Sequence, residues 1–260
     1  MKTQKILFLD IDHTLYDPIK KEIPASTIDA IKRVSLNQDL MLAIATGRAK
    51  YMLDILKPIE PYIDIYITIN GKMILYENNI IYDDPMKKED IEVIKDCFKR
   101  HNMTFGYIGK NSQGINKITP YVQQMFDEAS MPLPDLAPEY AHSKDVYQMW
   151  AFSNDTTLKD LKGQLKDYIL VPWLSDGFDI VTKGHDKISG IRTVLDHFNI
   201  SMENAYAIGD GENDIEMLKT IPNSAAMGNA KPHVKAVASF VTKPYDEDGI
   251  SHALKHFKLL

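Results

Sequence analysis

The chain has little cysteine, no long apolar run and no excess of positive charge. Cys97 is the single cysteine among 260 residues, so no disulfide can form within the chain, which suits a reducing cytosol. No stretch approaches the roughly 20 apolar residues of a membrane-spanning helix, and acidic residues interrupt the apolar run near the N-terminus, unlike in a signal peptide. The formal net charge of −6 argues against a general affinity for nucleic acid or anionic membranes. We therefore expect a cytoplasmic protein that binds neither nucleic acid nor membrane.

The rest of the composition is that of a folded globular protein. Hydrophobic residues make up 44% of the chain and charged residues 25%, as is usual for such proteins. A chain of this length can form one large domain or two ordinary ones. The overall charge does not exclude a small anionic ligand, because a local group of donors can oppose it. The sequence does not indicate an oligomeric state.

A predicted strand near the N-terminus leads into two carboxylates. Residues 5–9 are mostly large and apolar, which predicts a strand buried on both faces, as in a parallel sheet covered by helices. Asp10 and Asp12 follow, and ligands of open α/β sheets bind outside the carboxyl ends of the strands. Because residues two apart in an extended chain point the same way, the two carboxylates could serve one site. Taken alone, either one could instead cap a helix or a turn.

A second predicted strand ends in a pattern typical of phosphate binding. Residues 40–45 are apolar, and Thr46-Gly47-Arg48 and a stretch with helical spacing follow them. A free helix N-terminus offers backbone N–H groups to an anion, and glycine permits close approach. An ordinary helix cap at Thr46, with Arg48 on a solvated surface, explains the same residues equally well.

The middle of the chain differs in pattern from its two ends. Asn70-Gly71 predicts a hairpin turn after a third strand. Within residues 84–181 the predicted strands adjoin each other, which indicates an α+β domain. Residues 1–83 and 182–260 instead alternate strands with helices. We therefore predict an α/β fold in which these two segments form one doubly wound parallel sheet and residues 84–181 are inserted as a second domain.

Two further polar motifs appear in residues 182–260, where the chain again alternates strands with helices. Lys187 stands at the start of a predicted helix, and residues 209–214, Gly-Asp-Gly-Glu-Asn-Asp, follow a short apolar strand. A turn with capping residues would explain the second group by itself. A lone lysine at a helix start is usually solvated, and Lys183 lies close enough in sequence to be an alternative.

The combined set of side chains favours phosphoryl transfer. Its members at the predicted strand ends are Asp10, Asp12, Thr46, Lys187, Asp210, Asn213 and Asp214. Crowded carboxylates repel and need a cation, and a set of oxygen ligands without histidine or cysteine favours Mg²⁺. The hydroxyl, the lysine and the amide are donors for a phosphate. One aspartate could then attack phosphorus to form an aspartyl-phosphate, while the other protonates the leaving oxygen and later activates water.

The order of these motifs along the chain resembles the haloacid dehalogenase superfamily. The motifs are Asp10-x-Asp12-x-Thr14-Leu15, Thr46-Gly47-Arg48, Lys187 and the run from Gly209 to Asp214. The large insertion between the second and third motifs resembles the Cof-type sugar phosphatase branch. The resemblance implies a Rossmann-like core, an inserted α+β cap and a magnesium-dependent phosphatase of a small phosphorylated metabolite, such as a sugar phosphate.

The resemblance also implies a role for each matching residue. Asp10 would be the nucleophile and a magnesium ligand, and Asp12 the general acid/base that offers its backbone carbonyl to the metal. Thr46, Gly47, Lys187 and Asn213 would bind phosphate, Asp210 would ligate magnesium, and Asp214 would support the metal through water. His13 stands where the family usually has glycine, which permits a tight turn. We expect a tolerated substitution, with a re-aimed loop or a proton or substrate contact as the alternatives.

Three other functions share parts of this pattern. Receiver domains of signalling proteins also carry acids, a hydroxyl and a lysine on a doubly wound sheet, but they lack both a second aspartate two residues beyond the acceptor and an inserted domain. A phosphomutase or phosphotransferase on the same fold would pass the phosphoryl group to a sugar, and the sequence does not exclude it. A binding protein without activity is disfavoured, because all the catalytic residue types are present.

Overall fold

The chain folds into two compact units. The structure is a computed structural model that describes residues 4–129, 131–153, 155–173, 176–184 and 186–260. The core unit comprises Met1–Arg48, Leu53–Tyr82 and Lys187–Leu260, and the inserted unit comprises Ala49–Met52 and Asp83–Asp186.

The regular structure consists of strands, α-helices and short 3₁₀ helices. The strands are β1 (Lys5–Leu9), β2 (Leu40–Ala45), β3 (Ile65–Thr68), β4 (Met73–Tyr76), β5 (Asn79–Asp83), β6 (Thr104–Ile108), β7 (Gln113–Ile115), β8 (Asp135–Leu136), β9 (Gln148–Phe152), β10 (Tyr168–Trp173), β11 (Gly177–Thr182), β12 (Ala205–Gly209), β13 (Asn223–Ala226) and β14 (Phe240–Val241). The α-helices are α1 (Ala25–Val34), α2 (Lys88–Arg100), α3 (Pro120–Glu128), α4 (Tyr140–Ser143), α5 (Asp155–Gln164), α6 (Lys187–Phe198), α7 (Ile215–Thr220), α8 (Pro232–Lys235) and α9 (Gly249–His256). The 3₁₀ helices are Lys50–Leu56, Glu60–Tyr62, Ile69–Gly71, Met202–Asn204 and Glu212–Asp214.

The core unit is built on an eight-stranded sheet with the order β14-β13-β12-β1-β2-β3-β4-β5. The pairs from β14 to β3 are parallel, and β3 pairs with β4 in the antiparallel sense. The predicted strand over residues 40–45 is confirmed, and all six of its residues are buried. Because β1 lies between β12 and β2, the residues that follow these three strands meet at one edge of the sheet. The doubly wound parallel core of the predicted α/β fold is therefore confirmed.

Buried side chains from both the strands and the helices form the hydrophobic core of this unit. Phe8 of β1 and Ile67 of β3 lie in one buried cluster with Ile191 of α6 and Met217 of α7. Strand residues alternate in direction, so one face of the sheet packs on these two helices. Helix α7 follows the loop after β12, at the edge of the sheet where the acids lie, whereas α6 follows β11 of the second sheet.

One predicted helix has a different form. The helical spacing of the residues after Arg48 predicts an α-helix, whereas the structure has a 3₁₀ helix from Lys50 to Leu56. Pro58 follows two residues later, and proline cannot continue a helix because it lacks a backbone N–H. The short segment therefore closes in the tighter helix.

The inserted unit has its own sheet and its own core. The sheet order is β10-β11-β9-β6-β7-β8, and the pairs are antiparallel except that of β7 with β8. Phe98 of α2 and Leu161 of α5 pack with Phe105 and Met149 of the sheet in one buried cluster. Adjoining antiparallel strands with helices packed against the sheet are the α+β arrangement.

No helix among the described residues combines the length and the apolar composition that crossing a membrane requires.

Candidate active site

Three carboxylates converge at the carboxyl ends of β1 and β12. Asp10 follows β1, Asp210 follows β12, and Asp214 ends the short 3₁₀ helix after it. One oxygen from each lies within 4.8 Å of the others. Asp10 is 6% exposed and Asp214 is fully buried. The two strands bring together acids that are 200 positions apart in the chain.

Lys187, the first residue of α6, lies against two of these acids. Its Nζ is 2.7 Å from Oδ1 of Asp10 and 2.5 Å from Oδ1 of Asp214, and its side chain is 1% exposed. Lys183 instead donates to the backbone carbonyl of Lys166 in the inserted unit. Of the two lysines considered from the sequence, the structure therefore places Lys187 at the carboxylates.

Burial and mutual repulsion govern the protonation of the acids. Burial raises the pKa of Asp10 from its ordinary 3.8 to about 7, the charge of Asp214 adds to this, and Lys187 opposes it. Burial likewise raises the pKa of Asp210 to about 8, together with the charges of Asp10 and Asp214. Burial alone would lower the pKa of Lys187, but the two facing carboxylates raise it above its ordinary value. The raised pKa values of the acids show that one buried lysine does not balance three carboxylates.

This donor set fits a divalent metal ion. Three carboxylate oxygens lie close together, and such hard ligands suit a hard cation. A divalent cation would also supply the positive charge that the raised pKa of Asp10 and Asp210 shows to be missing. Asp12 does not belong to this group of side chains.

Asp214 shapes the loop that carries Asp210. Its Oδ2 accepts hydrogen bonds from the backbone N–H groups of Asp210 and Gly211, both at 2.9 Å. A Cβ added at Gly209 would lie 2.6 Å from the carboxyl carbon of Asp214. The loop therefore requires glycine at 209 so that the carboxylate can approach the backbone closely.

Asp12 is paired with a buried arginine. Nε of Arg48 lies 2.8 Å from Oδ2 of Asp12, and Nη2 lies 2.7 Å from Oδ1. The Arg48 side chain is 6% exposed and that of Asp12 is 39% exposed. The alternative interpretation of Arg48 as a solvated surface residue is wrong, because the fork of the guanidinium matches both oxygens of the carboxylate.

The expected phosphate-binding residues come from the ends of β2 and β12. Thr46 is 1% exposed, and its Oγ1 accepts a hydrogen bond of 3.1 Å from the backbone N–H of Arg48. Nδ2 of Asn213 donates to Oδ1 of Asn70 at 3.1 Å. A Cβ added at Gly47 would lie 3.2 Å from Nδ2 of Asn70. Asn70 thus lies between Gly47 and Asn213.

Three polar residues at this edge were not assigned a role from the sequence. Thr14 donates from Oγ1 to Oδ1 of Asp210 at 3.0 Å, and Nδ2 of Asn229 donates to the carbonyl of His13 at 2.9 Å. Asn70 is the third, since its dipeptide with Gly71 indicated only a turn. Each follows a strand of the core sheet within a few residues. A polar residue at such a position is the sequence signal that could have identified them.

His13 adopts the backbone conformation that glycine favours. Its φ is 58°, in the left-handed region. The side chain is exposed, and its ring centroid lies 6.0 Å from that of Tyr245. The loop therefore keeps a turn of the kind that glycine permits, with a histidine in it.

Comparisons with known proteins agree with one another. A family model of haloacid dehalogenase-like hydrolases matches residues 7–254. YkrA of Bacillus subtilis (strain 168), whose name provisionally describes a phosphatase, is 32% identical over 98% of each chain. The solved structure of the subclass IIB sugar phosphatase BT4131 is 32% identical, covers 99% of this chain and 100% of that one, and gives a TM-score of 0.91. BT1666 of Bacteroides thetaiotaomicron, a phosphatase of the same superfamily, is 27% identical, with coverage of 100% and 97% and a TM-score of 0.89.

These matches extend over nearly the whole chain and include both units. They confirm the resemblance drawn from the motifs, and with it the prediction of an enzyme of the phosphatase class. The chain belongs to the haloacid dehalogenase-like hydrolases.

Proposed function

We propose that the protein is a magnesium-dependent phosphatase that hydrolyses a small phosphorylated metabolite of the sugar phosphate class through an aspartyl-phosphate on Asp10. The observation that carries the proposal is the buried contact of Asp10 with Lys187 within a group of three carboxylates at the strand ends. The substrate class is supported by the similarity to BT4131, which is named a sugar phosphatase.

Asp10 is the proposed nucleophile. Lys187 donates to its Oδ1 at 2.7 Å, which orients the carboxylate and favours its ionised form. A carboxylate oxygen of Asp10 forms a bond to phosphorus while the ester bond from phosphorus to the leaving oxygen breaks. The leaving oxygen takes a proton from Asp12 and departs as an alcohol.

Asp12 is the proposed general acid and base. In the second half of the reaction its carboxylate takes a proton from a water molecule, whose oxygen bonds to phosphorus and displaces Asp10. Phosphate is released, Asp10 is again a carboxylate, and Asp12 is again protonated. Arg48 donates to both oxygens of Asp12, so this pairing must loosen when Asp12 carries the proton.

The remaining residues bind the phosphoryl group and hold the metal. Thr46, Gly47, Lys187 and Asn213 would donate to phosphate oxygens. Mg²⁺, held by Asp10, Asp210 and the backbone carbonyl of Asp12, would neutralise part of the charge on the transferring group when bound. Both oxygens of Asp214 accept hydrogen bonds within the protein, which supports a role for Asp214 behind the metal rather than in direct contact with it.

The test is release of phosphate from a panel of phosphorylated metabolites, with and without Mg²⁺, by the wild type and by Asp10→Asn. We expect turnover only by the wild type and only with Mg²⁺. Equal release by both proteins would exclude Asp10 as the nucleophile. If the phosphoryl group instead appears on an added sugar and no free phosphate forms, the protein is a transferase.

A further inference from the structure

The turn between β3 and β4 has an unusual backbone. Ile69, Asn70 and Gly71 all have positive φ, at 52°, 51° and 97°. Glycine and asparagine tolerate this left-handed region, but a β-branched residue such as isoleucine is an outlier there. Such conformations persist where the surroundings enforce them, and they cluster at functional sites.

The surroundings of this turn belong to the candidate active site. The backbone N–H of Ile69 donates to the carbonyl of Arg48 at 3.0 Å, and that of Asn70 donates to the carbonyl of Thr46 at 2.9 Å. The turn therefore holds both ends of the Thr46-Gly47-Arg48 loop through its own main chain.

The turn also packs against the helix that begins with Lys187. A Cβ added at Gly190 of α6 would lie 2.7 Å from the Cα of Gly71. This close approach leaves the turn little room to move relative to α6. The same three residues thus contact a loop and a helix that each contribute to the site.

The Asn70 side chain contacts Asn213, which is the third group that contributes to the site. Asn70 is 2% exposed, and its Oδ1 accepts a hydrogen bond of 3.1 Å from Nδ2 of Asn213. A carboxamide nitrogen carries two N–H groups. Engaging one of them with Asn70 fixes which end of the Asn213 amide is the donor, and it leaves the second N–H to donate to a phosphate oxygen.

We infer that the side chain of Asn70 is a positioning residue for the phosphate site, which acts through Asn213, while its main chain holds the loop of Thr46 to Arg48. The inference rests on the proposed function. The turn by itself needs only a residue that adopts positive φ at position 70, which glycine does without any side chain. The buried contact with Asn213 is additional to that requirement.

The variant that separates the two roles is Asn70→Gly. Glycine keeps the left-handed backbone at no steric cost but removes the carboxamide. Asn199→Gly is the matched control, because Asn199 also has positive φ, at 52°, and lies in the core unit outside the site. We expect Asn70→Gly to raise both the KM and the inhibition constant of inorganic phosphate by about three- to tenfold, as for loss of one hydrogen bond. Asn199→Gly should leave both unchanged.

A double-mutant cycle with Asn213→Ala tests the route of the effect. If Asn70 acts through Asn213, the double variant binds inorganic phosphate no more weakly than Asn213→Ala alone. Additive losses, or constants for Asn70→Gly within twofold of the wild type, would overturn the inference. If the wild type releases no phosphate, the proposed function is overturned. If the wild type is active and Asn70→Gly is unaffected, only the inference about Asn70 is overturned.

Discussion

At the scale of single residues, the contact between Arg48 and Asp12 decides how the proposed acid/base is presented. The guanidinium is buried and donates two hydrogen bonds of 2.7 and 2.8 Å to the carboxylate. A planar fork restricts both the position and the rotation of its partner, whereas a single ammonium group restricts only the position. The pair therefore orients Asp12 before substrate arrives.

Arg48→Lys tests this orientation. The charge is kept, but the paired hydrogen bonds are lost, so we expect kcat to fall by about tenfold or more through misplacement of the acid/base. Steady-state kinetics with the best substrate measures the change. Arg33→Lys is the control, because Arg33 forms an exposed pair with Asp29 on α1 and should behave as the wild type. An unchanged kcat for Arg48→Lys would show that Asp12 needs no such partner.

His13→Gly tests the departure from the family pattern. Relief of the left-handed strain of about 1–2 kcal/mol is offset by the greater freedom of glycine in the unfolded chain, about 0.5–1 kcal/mol. We expect the free energy of unfolding in urea to stay equal or to rise by up to about 1.5 kcal/mol, with activity within about threefold. Lys258→Gly, at an exposed position with a φ of 58°, is the control for the backbone effect alone. A large loss of activity only in His13→Gly would assign the imidazole a role in the reaction.

At the scale of elements, the loop after β12 depends on close packing between its backbone and its own carboxylate. Asp214 accepts from two backbone N–H groups of the loop, and Glu212 of the same loop pairs with Lys231, directly before α8, and with His233 in α8. The loop is therefore held both by hydrogen bonds within itself and by ion pairs with the segment at α8. The position of Asp210 therefore depends on the whole loop and not on β12 alone.

Gly209→Ala should disrupt this packing. The new Cβ would lie 2.6 Å from the Asp214 carboxyl group, so we expect destabilisation by about 1–3 kcal/mol together with loss of most activity. Thermal denaturation and phosphate release measure the two effects. Gly163→Ala in α5 is the control, because nothing lies within 4 Å of its added Cβ, and alanine should stabilise that helix by about 0.5–1 kcal/mol. A Gly209→Ala variant as stable as the wild type would contradict the proposed packing.

At the scale of the whole molecule, the carboxylate group links stability to pH. The folded-state pKa of Asp10 is about 7 and that of Asp210 about 8, above the ordinary value near 3.9. Between pH 4 and 8 the folded state therefore holds protons that the unfolded state has released. The part of the stability that these bound protons contribute to the metal-free protein is lost as pH rises through the folded-state pKa values.

Metal removal reveals this dependence. In the presence of a chelator, we expect the melting temperature to fall between pH 5.5 and pH 8. Added Mg²⁺ should raise the melting temperature more at pH 8 than at pH 5.5, because the metal displaces fewer protons at pH 8. Asp10→Asn should show a weaker dependence, because it removes one of the titrating groups. A melting temperature that is insensitive to Mg²⁺ at pH 8 would argue against the metal site.

The sheet and the edge at which the site lies can both be predicted from the residue pattern alone. The apolar runs of β1 and β2 are local signals, and the polar residues that follow them are adjacent in sequence. The parallel order then brings Asp10, Thr46 and Asp210 to one edge, because consecutive strand ends in such a sheet coincide. The order of the motifs, in turn, was enough to identify the family.

The pairs of side chains that bind each other, in contrast, depend on the packed fold. The contacts of Arg48 with Asp12, of Asn213 with Asn70, and of Lys187 with Asp10 join residues 36, 143 and 177 positions apart. No local pattern distinguishes a buried arginine from a solvated one, or an asparagine that orients a neighbour from one that only makes a turn. Both distinctions depend on the depth of burial and on distances of a few ångströms, and these are set only when the strands, loops and helices have packed together.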